Sequence, residues 1–309
     1  MKLSDGLDGD KLRVICGPTA AGKSAIAMML AERFDAMILS ADSRQVYRRF
    51  DIGTAKPSLA ERARVLHRGI DLAEPEERYS AALWTELARG ALAEARRSGR
   101  TPVVVGGTGF YIRALTFPLF KAEPLDPERR SALARLMGEW ETSELRRWCA
   151  EIDSRVAQHG RTQLLRALET ALLTGVRIST MRDLAPRKKA IPATYLVIDP
   201  AEGLPERIAQ RIHGMLDSGW LEEVRKLDAR VAEDAVAWNA TGYAVMREHT
   251  RSKLSREEAI ARVIVQTRQY AKRQRTWFRH QLPEAHVTTL DPRSKNAGAE
   301  AIAWWKAAA

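Results

Sequence analysis

The chain has 309 residues, 45% of them hydrophobic and 29% charged, which is the balance of a globular protein with one large core or two domains. No apolar run reaches membrane-spanning length, and the polar, acidic start MKLSDGLDGDKL is unlike a secretory or transit signal, so a cytoplasmic address is expected. A net charge of +11 and a pI near 9.9 point to a polyanionic partner.

In chain order, KLRVIC (11–16) reads as a short buried strand and SAIAMMLAERF (24–34) as a helix. Between them, GPTAAGKS (17–24) fits the P-loop spacing without a gap. Gly17 and Gly22 allow a tight turn, Lys23 supplies a cation, and Ser24 offers a hydroxyl to Mg2+. The free N–H groups at the following helix start favour an anion. The loop residues Gly17, Pro18, Thr19, Ala20, Ala21, Gly22, Lys23 and Ser24, with the backbone N–H groups of 19–24, are therefore expected to hold a polyphosphate. AMIL (36–39) reads as the second strand, with Asp42 just beyond it at the sheet edge where such folds bind ligands. Asp42 is either a magnesium acid or the cap of a helix over SRQVYRRF. PVVV (102–105) is a third strand, followed by Gly106, Gly107 and Thr108, whose hydroxyl can cap a helix over GFYIRAL, bond a phosphate, or both.

Roughly 75 residues then pass without a credible core strand, rich in Leu, Ala, Arg and Glu at helical spacing. An inserted all-helical domain over 122–193 is expected, bounded by the Pro-containing stretches 117–127 and 185–192 and flanked by an α/β core of 10–121 and 194–309 with a largely parallel sheet. TYLVI (194–198) and HVTTL (286–290) complete the strands. Asp199, followed by Pro200, reads as a turn or capping residue. Cys16 and Cys149 read as buried small residues rather than a disulfide or metal pair. The terminal WWKAAA is expected to pack one aromatic turn and then fray.

The positive charge is local. From Arg155 to Lys189 there are eight Lys or Arg and only Glu169 and Asp183 as acids, ending in Arg187-Lys188-Lys189. Farther on, Arg268, Lys272, Arg275 and Arg279 share one helical stripe, opposite an apolar face containing Val263, Ile264, Ala271, Trp277 and Phe278. Single-signed stripes suit nucleic-acid phosphates.

GPTAAGKS, SADSRQVYRRFDIGTAKP (40–57) and GGTGFY (106–111), in that order, resemble the tRNA dimethylallyltransferase (tRNA isopentenyltransferase) family. The resemblance continues through RALE (166–169), ERIAQRIHGMLDSGWLEEV (206–224), TGY (241–243) and TRQYAKRQRTWFR (267–279). It implies a P-loop kinase-like core and transfer of a dimethylallyl group from dimethylallyl diphosphate to the exocyclic amine of the adenine just 3′ of the tRNA anticodon, with magnesium. By the same resemblance Asp42 is the base, Lys23, Thr108 and Arg211 complete the catalytic set, and Arg211 also reaches the diphosphate. Ser43, Arg44 and Gln45 would line the adenosine pocket. Arg130 (or its neighbour Arg129), Thr162, Gln163, Leu164, Leu165 and Arg166 would meet tRNA, with Arg268, Lys272 and Arg275 from the basic stripe. The family's H-P-x-D pattern is replaced here by His159-Gly160-Arg161, and Ala244 stands where relatives often carry a base. No obligate protein partner is expected. Two other readings compete: a P-loop kinase of a small metabolite, using Asp42 as base and Asp199 as magnesium acid, and a non-catalytic RNA-binding module.

Overall fold

The computed structural model describes residues 11–117, 125–184 and 190–308. Six strands, β1 (Leu12–Cys16), β2 (Ala36–Ser40), β3 (His67–Arg68), β4 (Thr101–Gly106), β5 (Ala193–Ile198) and β6 (Val287–Leu290), form one sheet in the order β3-β2-β4-β1-β5-β6. Every pairing is parallel. The helices are α1 (Lys23–Arg33), α2 (Leu59–Arg64), α3 (Ala81–Arg97), α4 (Gly109–Thr116), α5 (Pro127–Gly138), α6 (Thr142–Ile152), α7 (Arg161–Thr174), α8 (Ile178–Leu184), α9 (Leu204–Asp217), α10 (Trp220–Asp228), α11 (Tyr243–Thr250), α12 (Arg256–Gln281) and α13 (Ala297–Ala307). The described residues fall into two compact units: 11–117 with 190–308, and 125–184. None of the described helices is long and apolar enough to cross a membrane.

All five residues of β1 and all five of β2 are buried, as parallel strands covered on both faces must be. On one face Ile15, Ile38, Val103, Val105, Leu196 and Ile198 meet Ala27, Leu30 and Ala31 of α1 and Ala301, Trp304 and Trp305 of α13. The aromatic turn at Trp304 and Trp305 packs as expected, and the helix continues to Ala307 rather than fraying directly after it. Trp305 stacks on Phe34 at 5.3 Å between centroids, and Arg13 lies over the same indole and donates to its carbonyl at 3.2 Å. Alternation turns Val14, Leu39 and Val104 to the opposite face. There α3 packs on β2 and β4, with Trp84 donating its indole N–H to Ser40 O at 2.9 Å and stacking on Tyr111 of α4. Two-residue β3 carries no sequence signal of its own, and only its parallel pairing with β2 defines it.

The second unit is all helical. Asp126 caps α5 by accepting from Arg129 N–H at 2.8 Å, with Pro127 at the first turn. Its core joins Met137 of α5, Leu145 and Cys149 of α6, and Leu164, Ala167 and Leu168 of α7. This placement corrects the expectation for Leu164: its side chain is fully buried, at the i, i+3, i+4 positions that α7 turns inward, and cannot touch RNA. Leu165 packs partly against the same core, and Gln163 Oε1 accepts from Gly160 N–H at 3.2 Å. Arg130 donates through Nε at 2.9 Å to the buried carboxylate of Glu169, while its side chain stays about half exposed. Thr162 and Arg166 are exposed. The run Arg187-Lys188-Lys189 lies outside the described residues. Leu164→Ala should therefore destabilise the protein by about 2–5 kcal/mol, whereas Thr162→Ala should stay within about 0.5 kcal/mol, as read by chemical denaturation.

Candidate active site

The carboxyl ends of β1, β2 and β4 converge on one cavity of about 560 Å3. β1 leads into Gly17, whose φ of +139° and whose position, 2.2 Å from Ile198 O for any added Cβ, admit only glycine. Gly22, at φ +98°, is the N-cap of α1 and delivers Lys23 and Ser24 to the cavity. Thr19 N–H is not free for a ligand: it donates to Gln274 Oε1 at 2.8 Å, while Ala21 N–H turns back to Pro18 O. The amides that open α1, rather than the whole run 19–24, are the ones left for an anion.

Lys23 Nζ donates to Pro18 O at 2.6 Å. Burial, then the Arg211 guanidinium, push its pKa down to about 8, against the opposing pull of Asp42 and Cys16. Arg211 comes from α9, an amphipathic helix whose Leu204, Ile208 and Ile212 are buried and whose Arg207, Gln210 and Arg211, at i, i+3 and i+4, line the cavity. Burial holds the Arg211 pKa below its ordinary value, and Asp42 opposes that shift. Among the described residues no carboxylate hydrogen-bonds Arg211, so its charge is open to a ligand.

Asp42 sits two residues beyond β2. It does not cap a helix: residues 43–46 form a turn, and its Oδ1 accepts from Arg44 N–H at 2.8 Å. Thr108 precedes α4 without capping it through its side chain; its Oγ1 accepts from Ser43 N–H at 3.0 Å and donates to Ser43 Oγ at 3.3 Å. The phenol of Tyr270, on α12, is pushed up to about 12 chiefly by burial, with Asp42 adding to the effect. A second, smaller cavity of about 70 Å3 adjoins the first, bounded by Ile208, Ile212, Met215 and Trp220. Thr19, Asp42, Arg211 and Tyr270 line both, so the candidate base and one cation stand on the shared wall.

The irregular loop that carries Asp42 is pinned along its length. Lys56, its side chain fully buried, donates to Tyr47 O at 2.7 Å, to Asp71 at 2.7 Å and to Asp51. Glu223 of α10 accepts from the N–H groups of Asp51 (3.1 Å) and Ile52 (2.8 Å) and from Tyr243 Oη (2.6 Å), which itself accepts from Gly53 N–H at 3.0 Å. Gln45 is a strut as well. Its amide nitrogen donates to Thr54 O and Ala55 O, and its oxygen accepts from Ser40 Oγ, leaving little capacity to read a base. Arg44 lines the smaller cavity.

The basic stripe of α12 divides. Arg268 and Lys272 are exposed, but Arg275 donates to the Asp199 carboxylate and to Ala201 O, so it does not present a free cation to phosphate. Asp199 also accepts from Ala201 N–H at 2.9 Å and lines neither cavity. Arg207, Gln274, Tyr270, Lys56 and Glu223 escaped the sequence reading. The spacing of Arg207 and Arg211 in ERIAQR was a usable signal, as was Gln274, a polar residue lodged between Ala271 and Phe278 on the apolar face.

The model of the IPP transferase family matches residues 45–281, and that of isopentenyl transferases matches 10–68. The chain belongs to the IPP transferase family. A tRNA dimethylallyltransferase of Cyanothece sp. is 41% identical over 286 residues, covering 91% of this chain and 92% of that one. The corresponding protein of Sorangium cellulosum is 38% identical, covering 88% of each chain. Among solved structures, the full-length tRNA isopentenylpyrophosphate transferase of Bacillus halodurans superposes with a TM-score of 0.68 at 32% identity, covering 97% of this chain and 96% of that chain. A eukaryotic dimethylallyltransferase captured acting on tRNA gives 0.79 at 25% identity, covering 95% of this chain and 77% of that chain. The core of this chain is accordingly that of a P-loop kinase-like α/β protein.

Because the Lys23 pKa lies near 8, an anion that needs the ammonium must restore a proton above that pH. Inorganic pyrophosphate should lose affinity in wild type more steeply than in Lys23→Met above pH 8, by up to about one log unit per pH unit. Calorimetry across pH 7–9 checks this, and parallel slopes would remove Lys23 from anion binding.

Proposed function

We propose that the protein transfers a dimethylallyl group from dimethylallyl diphosphate to the exocyclic N6 amine of the adenosine immediately 3′ of the anticodon in tRNA. The observation that carries this reading is the shared wall: a carboxylate and a cation stand where a phosphate cradle meets a second opening. The P-loop acts as a leaving-group clamp rather than a phosphoryl donor site. As the C1–O bond breaks, its electron pair stays with the diphosphate, and Lys23, Arg211 and the first amides of α1 stabilise that growing charge. An allylic carbon tolerates the matching positive charge. The adenine amine supplies the new N–C1 bond, and its surplus proton goes to Asp42. Thr108 is fixed to Ser43, next to Asp42, and Tyr270 lines the same wall.

Magnesium fits this site as a companion of the donor. Ser24, Asp42 and Glu61 line the cavity, but among the described residues no group of three His, Cys, Asp or Glu could hold a metal. Mg2+ keeps its waters and completes its shell with substrate phosphates, so a sparse protein set is adequate. Ser24 would hold it, and it would neutralise charge on the departing diphosphate. The kinase reading is weaker because Asp199, its magnesium acid, is spent on Arg275.

The helical unit 125–184 is read as a grip on the anticodon stem-loop, through exposed groups such as Thr162 and Arg166, while Arg268 and Lys272 contact phosphates. Extruding a stacked adenine costs roughly a few kcal/mol, which such contacts can offset. The reading carries a cytoplasmic address with it, where tRNA is. Incubation with unmodified tRNA and dimethylallyl diphosphate, followed by nucleoside mass spectrometry, should give dimethylallylated adenosine. Asp42→Asn should lower its formation by about 10²–10⁴-fold with tRNA affinity nearly unchanged. Turnover within threefold of wild type would exclude Asp42 as the base, and ATP-dependent phosphorylation without prenylation would favour the kinase.

A further inference from the structure

We propose that Arg207 is the residue that reads the terminal phosphate of the donor, and so makes this site select a diphosphate over a monophosphate. This rests on the prenyl-transfer reading and adds to it a division of labour between the two arginines of α9. Arg207 Nε donates to Ala20 O at 3.0 Å, which fixes the guanidinium across the crest of the P-loop. Its Nη2 lies 3.0 Å from the point where a Cβ on Gly22 would project, directly beside the N-cap of α1. Among the described residues no carboxylate hydrogen-bonds Arg207, and the carboxylate of neighbouring Asp291 is engaged by Arg293 Nε and Nη2. The remaining N–H groups of Arg207 are free for a ligand in the larger cavity, which the residue lines.

Arg211 lines both cavities and Arg207 only the larger one. The order of atoms in an allylic diphosphate turns that difference into a function. C1 must lie within reach of the acceptor amine and Asp42, so the first phosphate falls beside Arg211 on the shared wall. The second phosphate is then carried away from the wall, over the opening amides of α1, to the place where Gly22 and Arg207 meet. A guanidinium fork pinned by one hydrogen bond is preorganised to take a terminal phosphate oxygen pair. A monophosphate ester with its carbon at the wall would leave that fork empty.

The test uses the full chain without tRNA and two probes, inorganic pyrophosphate and inorganic phosphate, titrated by calorimetry. Arg207→Ala should lower pyrophosphate affinity by about 10- to 100-fold while changing phosphate affinity by less than about threefold. Arg207→Lys keeps the charge without the fork and should give a smaller loss in the same direction; thermal unfolding of both variants checks that the loop is intact. In turnover, Arg207→Ala should raise KM for dimethylallyl diphosphate by the same factor with kcat within about threefold, whereas Arg211→Ala should lower kcat. Equal losses for the two probes, or a fall in kcat without a rise in KM, would overturn the assignment. Wild-type protein that fails to bind pyrophosphate would instead overturn the prenyl-transfer reading beneath it.

Discussion

One buried amide holds the site together. Gln274 of α12 accepts from Thr19 N–H and donates to Gly107 O, both at 2.8 Å, and so ties the loop after β1 to the loop after β4 and both to the longest helix of the core. The residue is almost wholly buried, and a buried amide left without partners is costly, so each bond constrains the others. Gly107 has no room for a side chain there: an added Cβ would lie 2.3 Å from Gln274 Nε2. The P-loop is therefore not a free cradle that closes on a ligand. Its first half is anchored from behind, which leaves the opening of α1 as the anion-binding part.

That rigidity explains how so many cations can share one cavity. Lys23, Lys56, Arg207 and Arg211 line it with only Asp42 and Glu61 as acids; Lys56 is paired with Asp51 and Asp71, and the depressed Lys23 pKa reflects burial first and the nearby Arg211 charge second. Carbonyls of the P-loop itself hold two of these cations in place: Pro18 O accepts from Lys23 and Ala20 O from Arg207. An arriving diphosphate relieves repulsion already present, and the charge it gains on leaving carbon meets donors that need not reorganise. The same site would serve poorly as a hydrolytic one. The acid at the end of β5, where a nucleotide-cleaving relative would hold its metal, is turned away into an ion pair.

How legible these features were follows from the range of the interactions. The P-loop, the strand order of burial and the helical insertion rest on neighbours in sequence, and each showed in its residues: KLRVIC, GPTAAGKS, and the long stretch without a strand. What sequence could not show was which charges already have partners. Arg275 looked like a phosphate contact because its stripe is periodic, yet its carboxylate partner lies 76 residues away. Leu164 sat inside a family motif, and only the packing of α6 on α7 reveals it as core. Glu223, the anchor of the Asp42 loop, acts across more than 170 residues and carries no local mark.

The central claim is that this P-loop receives a departing diphosphate, which requires cleavage between carbon and oxygen rather than between phosphorus and oxygen. Dimethylallyl diphosphate labelled with oxygen-18 at the C1–O position separates the two outcomes in one turnover with tRNA. Mass spectrometry should find the label entirely in the released pyrophosphate, together with prenylated adenosine. Label retained on the five-carbon fragment, with phosphate or phosphorylated product released, would contradict the account.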